Sequence, residues 1–326
     1  MAVHQRKPGN KKKEAKESSR DVNKDKIRKS KQDDSNEKQS IVSMIPWKKV
    51  FTRFLLSMGM IFAVYYTSKK ENIHVFASQK EKVQLTSAEV SCSLSYHKDV
   101  SKFKECAPKH CGRFVTDLVV SPEEAAHLLR LCKKGMAFGG SSGGSSILDL
   151  HSGALSYETS FINLYEKLKA LKKHSIFTAA DYKVYSNVRN KIQQIISYNF
   201  GVQVSNVHLT HPTFFSEMTT RPPKTKHDEY WHVHVDKETY PSFHYTALLY
   251  LSDYGTDFTG GRFFFVSDGK NMTVEPRIGR VSVFTSGAEN PHYVEIVSSG
   301  TRYALTVSFT CDPQYAIADP SIKKFQ

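Results

Sequence analysis

The sequence predicts an α+β protein, in which a β-rich body of sandwich or jelly-roll type carries supporting helices on its N-terminal side. The composition suits strands, because aromatic residues make up 12% of the chain, mostly as 20 Phe and 16 Tyr. Apolar residues spaced three to four apart dominate residues 112–200, whereas short runs rich in Val, Thr, Tyr and Phe follow from residue 201. With 326 residues, the chain can form one or two domains that each bury a core.

The first 53 residues hold most of the net positive charge of the chain. They contain 16 Lys or Arg against 7 Asp or Glu, whereas the remainder contains 30 against 25. Residues 1–45 are polar and almost free of aromatics, so we expect a disordered, basic, cytosolic tail. The near-neutral body offers no basic stripe, and we therefore expect no nucleic acid among its partners.

An apolar stretch follows the tail and predicts a transmembrane signal-anchor helix over residues 46–67. Its uninterrupted apolar run, residues 54–66, is short for a bilayer unless Pro46, Trp47 and a snorkelling Arg53 are counted. A cleaved signal peptide and a buried core helix are the alternatives, but the long polar lead and the lack of a small-residue cleavage site favour the anchor. The Lys/Arg surplus before it predicts a single-pass type II membrane protein, whose body lies in the lumen of the secretory pathway or outside the cell.

The cysteines and one glycosylation motif agree with an oxidising compartment. Five cysteines allow two disulfides and one free thiol, for which Cys132 is the candidate because it lies in an amphipathic helix pattern. Asn271-Met272-Thr273 is an N-glycosylation sequon in a polar segment, although such sequons are frequent by chance. The cysteines that we expect in disulfides are Cys92, Cys106, Cys111 and Cys311.

Residues 112–200 are expected to form a helical support for the strands. Ser121-Pro-Glu-Glu is a capping box with Pro at the first helical position, and Thr178-x-x-Asp is a second helix start. The Gly- and Ser-rich segment 139–146 lacks the Lys of a phosphate-binding loop, and we expect a flexible loop there. Ahead of this region, residues 68–111 show no clear period and predict a lumenal stalk. The predicted helices span residues 121–135, 161–173 and 178–200.

The C-terminal domain, residues 201–326, is expected to contain about seven strands. Gly and Pro separate the β-prone runs, which is typical of a sandwich or a jelly roll with helices packed along one sheet. The predicted strands span residues 207–218, 230–236, 243–251, 262–266, 280–285, 292–297 and 301–310.

The strand predicted over residues 230–236 contains residues suited to metal chemistry. Side chains of a strand alternate between its faces, so His232, His234 and Asp236 are expected on one face. Such a cluster is costly unless something binds there, although a solvent-exposed polar face would also explain the pattern. His292 opens a later strand, 58 residues after His234, and is a further candidate ligand.

Two histidines and one carboxylate on one face of a metal leave three coordination positions open, which suits non-haem Fe(II) that binds an oxo-acid and O2. Such a site also needs a cation for the far carboxylate of the oxo-acid. Arg302 lies ten residues after His292, and its planar guanidinium can bind a carboxylate through two nitrogens. Thr306 shares its strand face and can donate a further hydrogen bond. A rim charge or a structural salt bridge is the alternative role of Arg302.

The order of these motifs resembles the prolyl 4-hydroxylase-like branch of the 2-oxoglutarate- and Fe(II)-dependent dioxygenases. The resemblance implies a double-stranded β-helix in which His234, Asp236 and His292 hold Fe(II). It further implies that Arg302 holds 2-oxoglutarate, that O2-dependent hydroxylation releases succinate and CO2, and that L-ascorbate is a helper reductant. The segments that carry it are His234-x-Asp236, 245–251, 258–265, 276–284, His292 and 300–306.

The substrate is not inherited through this resemblance. The collagen prolyl hydroxylases have Lys where this chain has Arg302, so collagen is not implied. We expect an unidentified protein, peptide or small lumenal molecule.

Two other functions stay open at this point. His232-x-His234-x-Asp236 also resembles the signature of metallo-β-lactamase-type hydrolases, but Lys237 stands where their next His follows, and strands here follow strands. A jelly-roll binding module that has lost its metal would be favoured by a missing ligand or a missing Arg302, and neither is missing.

Overall fold

The computed structural model describes residues 46–68, 73–173, 176–267 and 271–321, which fall into two compact units divided after Lys70. The first unit has one described helix, α1 (Trp47–Ser68). Within the described residues, no helix combines the length and the apolar character needed to cross a membrane. The span predicted over residues 46–67 stays a prediction, and the tail predicted over residues 1–45 lies outside the described residues.

The described part of the second unit is rich in short strands. They are β1 (Ile73–Ala77), β2 (Thr86–Val90), β3 (Cys111–Thr116), β4 (Gly140–Ser141), β5 (Ser145–Leu148), β6 (Ala154–Glu158), β7 (Ser160–Asn163), β8 (His208–Leu209), β9 (Phe214–Met218), β10 (Tyr245–Tyr250), β11 (Phe258–Gly260), β12 (Phe263–Phe265), β13 (Asn271–Val274), β14 (Val281–Thr285), β15 (His292–Val294), β16 (Val297–Gly300) and β17 (Arg302–Thr310).

Two sheets and a short pair make up this unit. The large sheet has the order β2-β3-β14-β10-β17-β9-β5-β6-β4, with β7 beside β6 and β8 beside β17. The small sheet has the order β1-β13-β12-β15, and β11 pairs with β16. The neighbours β14, β10 and β17 are antiparallel although they are distant in sequence, as in a jelly roll. The predicted α+β jelly-roll class is confirmed.

Side-chain alternation along β10 gives the large sheet two apolar faces. Tyr245, Ala247 and Leu249 are buried in a core shared with helices, whereas Leu248 and Tyr250 are buried in a second core. The second core lies between the two sheets, because it also contains residues of β1, β12, β13 and β15. The candidate site lies on this second face.

Five helices are described in the second unit, and two of them begin and end as the sequence predicts. Ser121 caps α3 (Pro122–Met136) through a capping box with Glu124, and Thr178 caps α5 (Ala179–Phe200) in the same way with Asp181. Gly201 ends α5 in the left-handed conformation at φ 65°. The helices are α2 (Leu94–Val100), α3 (Pro122–Met136), α4 (Leu164–Ala170), α5 (Ala179–Phe200) and α6 (Asp236–Thr239).

Residues 73–111 differ from the stalk that the sequence predicts. β1 pairs with β13 in the small sheet and β2 pairs with β3 in the large sheet, so the segment belongs to the folded body. Its strands are short and its partners are distant in sequence, which is why no local period announces them.

The region predicted as a helical support contains strands as well. β4 to β7 lie between α3 and α4, and the segment 139–146, expected as a flexible loop, contributes β4 and β5 to the large sheet. The helix predicted over 161–173 is only α4, because β7 pairs with β6 as far as Asn163, whose side chain then caps α4.

The strand predicted over residues 230–236 does not form. Its ladder is reduced to one isolated bridge between His234 and His292, and α6 begins at Asp236. The alternation of polar and apolar residues here therefore does not indicate a half-buried strand. Two of the polar residues, His234 and Asp236, instead belong to a cluster with His292.

The structure joins the four cysteines that the sequence nominates. Cys92 pairs with Cys111 and Cys106 pairs with Cys311, while Cys132 is free and buried. Two disulfides are typical of an oxidising compartment. Asn271 is half-buried at the start of β13, and its glycosylation stays a prediction.

Candidate metal and co-substrate site

Three of the predicted ligands meet at one end of the second core. The Nε2 atoms of His292 and His234 lie 3.4 and 3.8 Å from Asp236 Oδ1, and one ligand atom from each residue fits within 4.8 Å of the others. Within the described residues this is the one group of three or more His, Cys, Asp or Glu with such spacing. Two imidazoles and one carboxylate on one side of an ion form the facial arrangement that suits Fe(II).

Backbone contacts fix the orientation of both imidazoles. His234 Nδ1 lies 2.9 Å from the carbonyl oxygen of His232, and His292 Nδ1 lies 2.9 Å from that of Asn290. A carbonyl oxygen only accepts, so each Nδ1 donates and each Nε2 keeps a lone pair for a metal. The two backbones are joined as well, because each of His234 and His292 donates its amide hydrogen to the carbonyl of the other.

Asp236 is oriented by a hydrogen bond to its other oxygen. Thr246 on β10 donates to Asp236 Oδ2 at 2.7 Å, which leaves Oδ1 on the side of the imidazoles. Burial alone would raise the pKa of Asp236, but the His292 ring and the Thr246 hydroxyl outweigh it and lower this pKa. Burial and the neighbouring His292 lower the pKa of His234. A carboxylate and neutral imidazole are the protonation states that bind metals.

His232 is separate from this cluster. Its side chain is 67% exposed, and its Nε2 lies 3.3 Å from a carboxylate oxygen of Glu229. The prediction that His232, His234 and Asp236 share one strand face is therefore wrong, because no strand forms there. The hydrolase alternative needed His232 in the cluster and loses its basis.

Arg302 lies at the start of β17 with its side chain in the second core. It is 1% exposed, its Nε donates to the Gly261 carbonyl at 2.9 Å, and its Nη2 has no hydrogen-bond partner in the described part of the chain. A buried cation with an unused donor is costly unless an anion binds it. The residues present therefore fit a carboxylate of 2-oxoglutarate.

Position 261, in the segment 258–265, requires glycine because of its backbone conformation and its closeness to Arg302. It has φ +64°, and a Cβ at this position would lie 3.1 Å from Arg302 Cδ and 2.9 Å from a ring carbon of Phe258. Only glycine adopts this conformation at low cost while its carbonyl holds the guanidinium.

One further hydroxyl group near Arg302, that of Tyr250, is not among the sequence predictions. The Arg302 guanidinium lies 5.5 Å from the centre of the Tyr250 ring, and the buried hydroxyl of Tyr250 interacts with that of Ser282. Burial raises the pKa of Tyr250 to about 12, so its hydroxyl stays a donor. Side chains alternate along β10, so Tyr250 lies on the same face as Thr246, which binds Asp236. The same alternation in the sequence is the signal by which both side chains could have been predicted to face the site.

Thr306 shares the inward face of β17 with Arg302 and pairs with Leu248 of β10. Its role toward 2-oxoglutarate stays a prediction.

The chain matches the profile of the 2OG-Fe(II) oxygenase superfamily over residues 221–310, which contain the three clustered residues and Arg302. It is 53% identical over 251 residues to the "2-oxoglutarate and iron-dependent oxygenase domain-containing protein 3" of Xenopus tropicalis, covering 76% of this chain and 77% of that protein. The chain belongs to the 2OG-Fe(II) oxygenase superfamily. It is an Fe(II)- and 2-oxoglutarate-dependent dioxygenase by family, and the facial triad of this superfamily is intact.

More distant relatives of this oxygenase carry hydroxylase names. "Prolyl 3-hydroxylase 1" of Gallus gallus is 32% identical over 229 residues, which cover 63% of this chain and 29% of that protein. A solved Pseudomonas putida prolyl-4-hydroxylase is 17% identical and covers 66% of this chain and 97% of its own, with a TM-score of 0.35.

Proposed function

We propose that this oxygenase hydroxylates a protein, peptide or small molecule in an oxidising compartment, with 2-oxoglutarate as co-substrate and O2 as oxidant. The observation that carries the proposal is the pairing of an intact facial triad with a buried, under-satisfied arginine in the same core. A metal-free binding module would have no use for either feature.

Different residues of the site would bind Fe(II) and 2-oxoglutarate. His234, Asp236 and His292 would hold Fe(II), which when bound supplies the redox chemistry with O2. Arg302 would hold the far carboxylate of 2-oxoglutarate, and the hydroxyl of Tyr250 can donate to the same group. The apolar rings of Phe263 and Phe284 pack against His292 and shield this ligand from water.

The compartment and the anchor belong to the same proposal. The two disulfides support an oxidising environment, and the Lys/Arg surplus before residues 46–67 supports a type II anchor with a lumenal or extracellular body. The anchor rests on the sequence alone. We further propose that L-ascorbate serves as a helper reductant, by analogy with the branch that the motifs resemble.

Anaerobic titration of the full-length protein tests the proposed function without knowledge of the substrate. Fe(II) is added first and 2-oxoglutarate second, and the metal-to-ligand charge-transfer absorption in the visible region is followed. We expect the band to develop to one equivalent of each. The matched control is His234→Ala, which should not develop the band, and a wild-type protein without the band would contradict the proposal.

A further inference from the structure

A second buried arginine, Arg113, lies on the interior side of the large sheet. It pairs in register with Phe284 of β14, which in turn pairs with Thr246 of β10. Residues directly opposite each other in antiparallel strands share a face, so the three side chains form one row. Thr246 holds the carboxylate of Asp236, and the row therefore runs from the triad to Arg113.

The surroundings of the Arg113 guanidinium place it one phenylalanine ring away from the triad. Its Cζ lies 4.8 Å from the centre of the Phe265 ring, and that ring lies 6.5 Å from the ring of His292. The Phe284 ring, next to Arg113 in register, lies 4.7 Å from His292. The cation thus lies behind the aromatic rings that contact His292.

The hydrogen bonds of Arg113 are incomplete. It is 3% exposed, its Nη2 donates to the Ser267 hydroxyl at 2.9 Å, and its Nε and Nη1 have no partner within the described residues. Arginine stays protonated in proteins even when burial lowers its pKa, as burial does here. Among the described residues, this buried positive charge thus has no anion beside it.

Arg280 shows that this fold can satisfy a buried arginine completely. It is also buried, but it forms two hydrogen bonds with Asp117 and donates to the carbonyls of Ala77, Glu275 and Glu81. In the described part of the chain, the arginines with buried, unpartnered nitrogens are Arg113 and Arg302. Arg302 has the anion of the co-substrate assigned to it, and Arg113 has none.

We propose that Arg113 anchors a carboxylate of the substrate that is hydroxylated. The proposal rests on the proposed function and adds the chemical class of the substrate. A 2-oxoglutarate molecule on Arg302 does not serve Arg113, because β14 and β10 lie between β3 and β17 and separate the two strands by about 14 Å. The single positive charge of one guanidinium neutralises the single negative charge of one carboxylate. A phosphate group carries a charge of about −1.5 to −2, which one guanidinium would not neutralise.

The test uses acetate as the carboxylate and acetamide as its neutral counterpart. Full-length protein with ¹⁵N-labelled arginine is loaded with Zn(II), which is diamagnetic, and saturated with 2-oxoglutarate so that Arg302 is occupied. The Arg113 Nε–H resonance, assigned by its absence in Arg113→Lys, should shift with acetate and not with acetamide. An unmoved resonance would overturn the proposal.

Substitutions provide the second arm. Arg113→Met keeps the length of the side chain over Phe265 but not its charge, and it should weaken acetate binding at least tenfold. Val115→Ala, on the same strand and face, is the matched control and should leave acetate binding unchanged. Equal acetate affinity in Arg113→Met and the wild type would overturn the proposal. If Arg113→Met does not fold, the wild-type resonance decides alone.

The affinity for 2-oxoglutarate separates this inference from the proposed function. Arg113→Met should keep that affinity within about twofold, whereas Arg302→Met should lose at least tenfold. If both variants lose it equally, Arg113 serves the co-substrate and the inference is wrong. If Arg302→Met binds 2-oxoglutarate like the wild type, the proposed function fails, and the acetate titration still reports on Arg113.

Discussion

At the residue scale, the site depends on which polar atoms are left without partners. Both Nδ1 atoms of the clustered histidines and one oxygen of Asp236 are engaged, so the remaining atoms face one point. Arg302 donates to the Gly261 carbonyl and to Met218 Sδ, and within the described residues its buried Nη2 has no partner. Each of these groups has a defined task, and single substitutions can separate the tasks.

Arg302→Ala should weaken 2-oxoglutarate binding at least tenfold while Fe(II) affinity barely changes. Removing one partner of a buried charged pair costs on the order of 2 to 5 kcal/mol, and each tenfold step in affinity corresponds to about 1.4 kcal/mol. Tyr250→Phe removes only a neutral donor, worth about 0.5 to 1.5 kcal/mol, and should weaken binding less. Calorimetry of the three proteins side by side checks the order. An Arg302→Ala protein with wild-type affinity would remove the main reason to assign the co-substrate to this arginine.

His232→Ala should keep most of the Fe(II) affinity, whereas His234→Ala should lose it. His232 pairs with Glu229 at the surface, and His234 directs its Nε2 toward Asp236. Loss of a partner that merely orients a ligand costs about 10- to 100-fold in metal affinity, and loss of the ligand itself should exceed that. Metal content after dialysis, measured for both variants in parallel, decides. If His232→Ala loses Fe(II) and His234→Ala keeps it, His234 is not a ligand and the assignment of the metal site is wrong.

At the element scale, the sequence predicts what local chemistry determines. The capping boxes at Ser121 and Thr178 and the stop at Gly201 could be predicted because each acts within one helical turn. The strands in residues 73–116 and 139–163 could not, because their partners lie far away in the chain. Residue types and their order predict that His234, Asp236 and His292 come together, while their geometry depends on an isolated bridge that no period encodes.

The Gly- and Ser-rich segment 139–146 illustrates the same limit, because it packs against and hydrogen-bonds to the carboxylate of Asp228, which is distant in sequence. Asp228 is 1% exposed and accepts hydrogen bonds from the backbone of Ser145, Lys224 and Thr225 and from the hydroxyl of Ser141. It thereby ties this segment to the chain that leads to His234.

Gly143→Ala should destabilise the protein far more than Ser142→Ala. A Cβ at Gly143 would lie 2.2 Å from Asp228 Oδ2, which cannot move without losing its hydrogen bonds, whereas Ser142 is exposed. Overpacking of this kind costs about 1 to 3 kcal/mol, and surface changes stay within about 0.5 kcal/mol. Urea denaturation of both variants measures the difference. Equal midpoints would mean that the segment is as loose as its composition suggests.

At the scale of the whole molecule, we expect protease added outside sealed microsomes to remove residues 1–45 and to spare the body. The charge surplus ahead of residues 46–67 predicts this orientation. In the same samples, Asn271 should carry a glycan that endoglycosidase removes. Asn271→Gln is the control that should lack it. Digestion of the body from the outside would show that the orientation is wrong.

The two disulfides should contribute unequally to the stability of the body. Cys106 and Cys311 are 205 residues apart in the chain, against 19 for Cys92 and Cys111. In the chain-entropy account, a link stabilises by restricting the unfolded chain, by roughly 5 kcal/mol for the long loop and about 3 kcal/mol for the short one. Replacing both cysteines of a pair by Ala should therefore lower the free energy of unfolding more for Cys106 and Cys311.

Urea denaturation of the two double variants under oxidising conditions measures this difference. Cys132→Ala is the matched control, because it removes a buried thiol and leaves both links intact. The long link also fixes the end of β17, the strand that begins with Arg302, to the turn after α2, where Tyr245 donates its hydroxyl to the Cys106 carbonyl at 2.7 Å. A larger loss from the Cys92 and Cys111 pair would mean that local packing near β3, rather than the restriction of the unfolded chain, sets the contribution of these links.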